Sequence, residues 1–543
     1  MRFRFGTTLT MALLLGCAPP TPPPAPTAPA AGYDIVIRNG SVLDGTGAPA
    51  VRADVAIRDD SIAAVGDLSG ATATTVIDAA GLIVAPGFID LLGNSQAAVL
   101  IDPRLEGKVR QGVTTEVTGE GFSPAPIDEA MAAEMERTRP DGWPPVTWRT
   151  LDDFMRVVER KGSAVNFAFY VGATNAREMV LGHAGRAPTP AELRRMEEIV
   201  GEAVQDGAVG LSSALIYPPG RFATTEELIA LARRAGSYWT HLRSESAAID
   251  AAIDEALRIG REAGVPVNIF HLKIAGRQNW GKMPAIIRKI EDARKSGIDV
   301  AANVYPYTAT STELTSIVPA WALEGGYEQF LRRVRDPAAR PKIAAALRGG
   351  RLAGAGASTI LVRGTGKRLD ALAREMGVDP AEAALRLFEQ NPRSSPVAIF
   401  FSLSEEDMKL ALKQPWVAVG SDSGAVIEAM RGRGAHPRAY ATFSRILRYV
   451  REEELIPLEE AIRKFTSLGA DRAFLPDRGR IAVGKKADVV VFDPRTVRDL
   501  STYDDPHHFS VGVRDVIVNG EFVLRDGAMT GALPGRMLPR GGR

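Results

Sequence analysis

Two short runs decide how this chain reads: Tyr238-Trp239-Thr240-His241-Leu242-Arg243-Ser244-Glu245-Ser246 and Val267-Asn268-Ile269-Phe270-His271-Leu272-Lys273. Each is β-rich and reaches a histidine, and the amphipathic segment from Ser246 to Gly264 between them has the length of the crossover helix of a βαβ unit. In a parallel barrel both imidazoles then stand at the carboxyl ends of neighbouring strands, the rim where such folds carry their chemistry. The chain has only 6 histidines. His241 and His271 at matched strand ends form a candidate metal pair, against the plain alternative of two structural rings.

Outward from this pair, β-rich runs alternate with helices. They are Leu82 to Leu91, Gly112 to Thr118, Asn166 to Val171, Val209 to Leu215, Trp239 to Leu242, Val267 to Leu272, Val300 to Tyr305 and Trp416 to Gly420. With intervening helices such as Pro190 to Asp206 and Thr224 to Gly236, the pattern predicts an α/β fold, a (β/α)8 TIM-like barrel over residues 81–477. The stretch 308–402 is too long for one crossover and is expected as an insertion beside or over the barrel mouth. Short alternating segments broken by Asn-Gly and Asp-Asp turns fill residues 32–80, and the same grammar returns in 478–543. Two such ends flanking one block predict a small composite β-sandwich built by both.

Residues 1–17 have a basic start (Arg2, Arg4), an apolar run from Leu9 to Leu15, and Gly16 before Cys17, the only cysteine. The run is too short to cross a bilayer and reads as a secretory signal. It is similar to a bacterial lipoprotein lipobox, with Cys17 as the lipidation site and residues 18–31, rich in Pro and Ala, as a stiff tether. The expected location is the periplasmic face of a bacterial membrane, the outer one favoured, with the membrane a partner through the lipid. Lys+Arg 66 against Asp+Glu 65 leaves a net charge of +1, which argues against a nucleic-acid partner.

Pro86-Gly87-Phe88-Ile89-Asp90, Gly112-Val113-Thr114-Thr115, Gly210-Leu211-Ser212-Ser213, Thr240-His241-Leu242-Arg243, His271-Leu272-Lys273, Tyr305-Pro306-Tyr307-Thr308, Gly420-Ser421-Asp422 and His436-Pro437-Arg438 together resemble the N-acyl-D-amino-acid deacylase branch of the amidohydrolase superfamily. The resemblance implies a divalent metal, usually zinc, holding a water that attacks an amide carbonyl. His241 and His271 are implied as ligands and Asp422 as the group that moves the proton, although Ser-Asp-Ser-Gly also reads as a solvated turn. Lys273, Tyr305 and Arg438 are implied to hold the substrate carboxylate.

The departures are as informative. The usual His-X-His after the first strand is Leu92-Gly93-Asn94, and leucine cannot bind a metal. The usual cysteine of a Gly-Asn-Cys-Gly segment is replaced in Thr118-Gly119-Glu120-Gly121, where Glu120 is the residue able to take its place. One zinc on Glu120, His241 and His271 is therefore the expected centre, acting on a small N-acyl amino acid. Two other readings stay open: a lipid-anchored binding protein that has lost hydrolysis, and an amidohydrolase acting on a cyclic amide or dipeptide.

Overall fold

The computed structural model describes residues 1, 32–139, 142–354 and 356–541. Cys17 and the tether 18–31 lie outside the described residues. Among the described residues no helix is long and apolar enough to cross a membrane.

Eight parallel strands form the barrel: β1 (Phe88–Gly93), β2 (Val113–Thr118), β3 (Asn166–Phe169), β4 (Leu211–Ala214), β5 (Tyr238–His241), β6 (Val267–Ile269), β7 (Val300–Val304) and β8 (Val417–Val419). β1, β2 and β3 pair in order. Val171–Gly172, directly after β3, pairs with β4, and β4 through β8 follow in sequence. The circle closes where Gly93 bridges Ser423 and Asp422 N donates to Leu92 O at 2.8 Å. Helices cap well: Thr189 starts Pro190–Gln205 with a capping box, and Gly236 ends Thr225–Ala235 in a left-handed turn. The helix between the two histidine strands runs Ile249–Ala263, with Ile249, Ile253, Ala256 and Ile259 turned inward at helical spacing.

The run from Leu82 to Leu91 is two strands, not one. Ile83–Pro86 belongs to the terminal sheet, pairing with Val489–Phe492, and only Phe88–Gly93 enters the barrel. The break falls at Gly87, where any side chain would collide with Thr114.

The terminal sheet has nine strands and interleaves the two chain ends, with Ile83–Pro86 seated between Val489–Phe492 and Tyr33–Val42. Alternation divides its faces: Val489 and Val491 join the core of the terminal sheet with Ile37, Val55 and Ile517, while Val490 and Phe492 join the barrel core. Asn39-Gly40, expected as a turn, lies within Tyr33–Val42 at a register shift and makes a bulge. Asp59-Asp60 and Asn519-Gly520 do make two-residue turns.

Between β7 and β8 a four-stranded sheet, ordered Thr310–Glu313, Val397–Phe400, Ile360–Val362, Lys367–Arg368, packs with its own helices around Leu314, Phe330, Ile343, Leu369 and Phe388. This unit stands at the barrel mouth: Thr310, Ser311, Thr312, Ser316 and Arg351 line the cavity there.

Candidate active site

β5 ends on His241, but β6 ends at Ile269, so His271 sits in the turn beyond with φ 36°. A left-handed backbone at a non-glycine residue costs about 1–3 kcal/mol. It is held here by Asn303 Oδ1, which accepts from His271 N at 2.7 Å. Strand alternation is thus not what places Lys273 beside His271. The turn does so, with Lys273 Nζ 2.6 Å from His271 Nδ1.

Glu120 follows β2 in a loop pinned by Ser212, whose Oγ accepts from Gly121 N at 3.0 Å. Gly121 has φ 64°, and a Cβ there would lie 2.4 Å from that of Ala214, so the close approach requires glycine. The bend aims the carboxylate at both rings: Glu120 Oε1 is 2.9 Å from His241 Nδ1 and 2.9 Å from His271 Nε2. Burial pushes this carboxyl up, but His271 and His241 outweigh it and hold the group well below the usual carboxylate range. One ligand atom from each residue lies within 4.8 Å of the other two. A carboxylate and two imidazoles converging on one buried point are a donor set that fits zinc.

Glu245 stands behind the histidines. Its Oε1 accepts from Lys273 Nζ at 2.6 Å and is 3.0 Å from His271 Nδ1. A carboxylate at Nδ1 orients the ring and leaves Nε2 to face a cation. Burial and the Lys273 ammonium push His271 down, yet Asp422, Glu245 and Glu120 together bring it up to about 9. A cation entering the site must displace that proton. Arg243, in the same loop, binds Glu255 through two nitrogens, at 2.8 Å each.

Asp422, at the end of β8, also has a left-handed backbone, φ 51°. Its Oδ2 is 2.7 Å from Arg438 Nη1. Burial raises the Asp422 pKa, Arg438 and His271 lower it, and the balance lies above the ordinary carboxylate value. Glu120, His241, His271, Lys273 and Asp422 all line one cavity of about 260 Å³. Tyr305 and Arg438 do not line it; they lie just behind, with the Arg438 guanidinium 4.8 Å from the Tyr305 ring. The Tyr305 hydroxyl and Arg438 Nε are buried without hydrogen-bond partners among the described residues, so both retain donor capacity. Trp280 is 40% exposed and donates to Ser402 O outside the cavity.

Where His-X-His is absent, Leu92 is fully buried and lends its carbonyl to Asp422 N. Beside it lies a charge cluster the sequence did not reveal. Lys108 Nζ donates to Asp90 Oδ2 at 2.7 Å, Ser421 Oγ at 2.8 Å and Ser423 O at 2.6 Å, and is 3.6 Å from Glu116 Oε1. Ser95 Oγ donates to that Glu116 oxygen at 2.7 Å. These bonds join the ends of β1 and β8.

The chain is similar to known proteins over nearly all of its length. The amidohydrolase family profile matches residues 160–524. The N-acyl-D-glutamate deacylase of Alcaligenes xylosoxydans xylosoxydans is 38% identical over 515 residues, covering 93% of this chain and 96% of that one. The crystal structure of N-acyl-D-glutamate deacylase from Bordetella bronchiseptica, complexed with zinc and a phosphonate mimic of the tetrahedral intermediate, is 32% identical with a TM-score of 0.79, over 94% of this chain and 100% of that one. A D-aminoacylase structure described for one-metal activation and second-metal attenuation is 33% identical with a TM-score of 0.78, over 94% of this chain and 100% of that one. With the family profile over most of its length and such identity over nearly all of it, this chain belongs to the N-acyl-D-amino-acid deacylase branch of the amidohydrolase family.

Proposed function

We propose that the protein is a zinc-dependent hydrolase that removes the acyl group from N-acyl-D-amino acids. The observation that carries this reading is the convergence of Glu120 on His241 and His271, in one cavity with Asp422 and Lys273. The relatives that act on N-acyl-D-glutamate and related substrates support it.

Glu120 Oε1, His241 Nδ1 and His271 Nε2 would hold one zinc. Bound there, zinc supplies a Lewis acid that polarises the scissile carbonyl and makes water a nucleophile near neutral pH. Asp422 takes the proton of the attacking water and returns it to the departing amine, a task suited to a carboxylate whose pKa is raised by burial. Lys273, which lines the cavity, binds the substrate carboxylate, with Arg438 and the Tyr305 hydroxyl just behind it as further donors; a guanidinium adds orientation that a point charge does not. Glu245 keeps His271 in the tautomer that serves the cation.

The absent His-X-His does not favour a binding protein. Leu92 packs into the wall and the Lys108 cluster closes the space beside it, while Glu120, His241 and His271 remain together. Release of free amine from N-acetyl-D-amino acids, with N-acetyl-L-amino acids as the comparison, tests the reading. Turnover of the D series supports it, and a zinc-loaded protein inert on every member of the D panel contradicts it.

The lipobox-like residues 1–17 support a lipid anchor on Cys17 that presents the site to the periplasm. Incorporation of labelled palmitate that disappears in Cys17→Ser supports the anchor; label that persists in the variant contradicts it.

A further inference from the structure

A second cavity of about 340 Å³ adjoins the first. The two meet along Ile216, Tyr217, Arg221 and Ser316, which line both. This junction lies on the β4 side of the mouth, where Tyr217 and the insertion meet: the Tyr217 hydroxyl and Thr312 Oγ1 are 2.5 Å apart. The carboxylate-binding groups Lys273, Tyr305 and Arg438 lie on the opposite side, after β6, β7 and β8. A substrate whose carbonyl faces Glu120, His241 and His271, and whose carboxylate points to Lys273, must therefore direct its acyl group toward the second cavity.

The lining decides what kind of acyl group fits. Arg221 and Arg393, both exposed, make no ion pair among the described residues. Ser316 Oγ, at the junction, is buried without a hydrogen-bond partner among the described residues. Thr315, Ser394 and Glu313 add further polar groups. A plain alkyl chain would meet the apolar side chains Ile216, Pro218 and Leu323 but would leave the buried Ser316 hydroxyl unpaired. An acyl group containing its own amide offers both a carbonyl and an N–H.

We propose that the second cavity is a subsite for an extended, peptide-like acyl group, so that preferred substrates are D-amino acids acylated by an N-acylaminoacyl unit. This deepens the deacylase reading and rests on it. The reaction is the same hydrolysis: water adds across the C–N bond between the acyl carbonyl and the D-amino acid nitrogen, the carbonyl gains OH, the amine gains H, and an N-acylamino acid leaves beside the free D-amino acid. No further reactant enters.

The test uses the zinc-loaded full chain and whichever D-amino acid is turned over fastest as its N-acetyl derivative. Its N-(acetylglycyl) and N-octanoyl derivatives are compared by kcat/KM. One or two hydrogen bonds at the junction predict about a fivefold to tenfold preference for acetylglycyl over acetyl, and no such gain for octanoyl. Ser394→Trp, which fills the cavity from an exposed position, and Ser316→Ala should each bring the acetylglycyl to acetyl ratio back toward one. Equal rates for the two derivatives, or a preference that survives both variants, overturn the subsite while leaving the deacylase reading standing. If nothing is turned over, the deacylase reading fails, and calorimetric binding of N-acetylglycyl-D-alanine against N-acetyl-D-alanine decides the subsite. Tighter binding of the longer ligand that Ser394→Trp removes supports it, and equal binding overturns it.

Discussion

Arg438 Nη1 stands 2.7 Å from Asp422 Oδ2, a contact between the helix Arg438–Glu453 and the end of β8 that both side chains make almost out of reach of solvent. The pair holds in one place the group assigned to proton transfer and a group assigned to the substrate carboxylate. Asp422→Asn keeps the size of the side chain and removes its ability to take a proton. Turnover should fall by about 10²- to 10⁴-fold, with zinc content unchanged by elemental analysis. Retained turnover would remove Asp422 from the proposed mechanism.

Carboxylate binding separates from chemistry by substrate choice. Lys273→Met and Arg438→Lys should raise KM for N-acyl-D-amino acids, and each loss should shrink when the substrate is the corresponding carboxamide. Arg438→Lys keeps a charge but loses the planar fork, so a defect in that variant points to geometry. Equal effects on acid and amide substrates would place both residues in the architecture alone.

Lys108 has the opposite character. It is fully buried, lines neither of the two cavities at the mouth, and stands between Asp90 and Glu116 beneath the β1–β8 seam. Removing one partner of a buried charge pair strands the other, at a cost of about 3–5 kcal/mol. Lys108→Met should lower the thermal midpoint sharply, and adding Asp90→Asn should recover part of the loss. Unfolding curves that coincide with the parent's would show that the cluster contributes nothing to stability.

Lys464 sets an alkaline stability limb. Burial, aided by Arg463, pushes its ammonium down to about 8 against the pull of Glu460. Its Nζ donates to the carbonyls of Gln414 and Val417. Because the folded value lies below the unfolded 10.5, the unfolded chain binds more proton between these limits, and stability rises with pH across that window. The thermal midpoint of the parent relative to Lys464→Met should climb from pH 8 to 10; a flat difference contradicts the assignment.

The barrel was legible because its strands are apolar runs separated by periodic helices, and His241 and His271 were legible as strand-end residues of a βαβ unit. Glu120 was legible from its two glycines and the family pattern. The partners of Glu245 were not: they depend on a turn after Ser244 folding back on Lys273, and a loop leaves no periodicity to read. The Lys108 cluster was equally hidden, since Lys108 and Ser421 are 313 positions apart and meet only when β8 closes on β1. Leu82 to Leu91 misled for the same reason. One apolar run served two sheets, and only the collision at Gly87 with Thr114 marks the division.

The most direct measurement is titration of the metal-stripped full chain with zinc, following free amine released from an N-acyl-D-amino acid. Activity should rise in proportion to bound zinc, level off at about one equivalent as expected of a single three-ligand site with an open position, and be lost with zinc affinity in Glu120→Ala. Activity that is independent of zinc, or a Glu120→Ala chain that binds and responds to zinc as the parent does, would contradict the account.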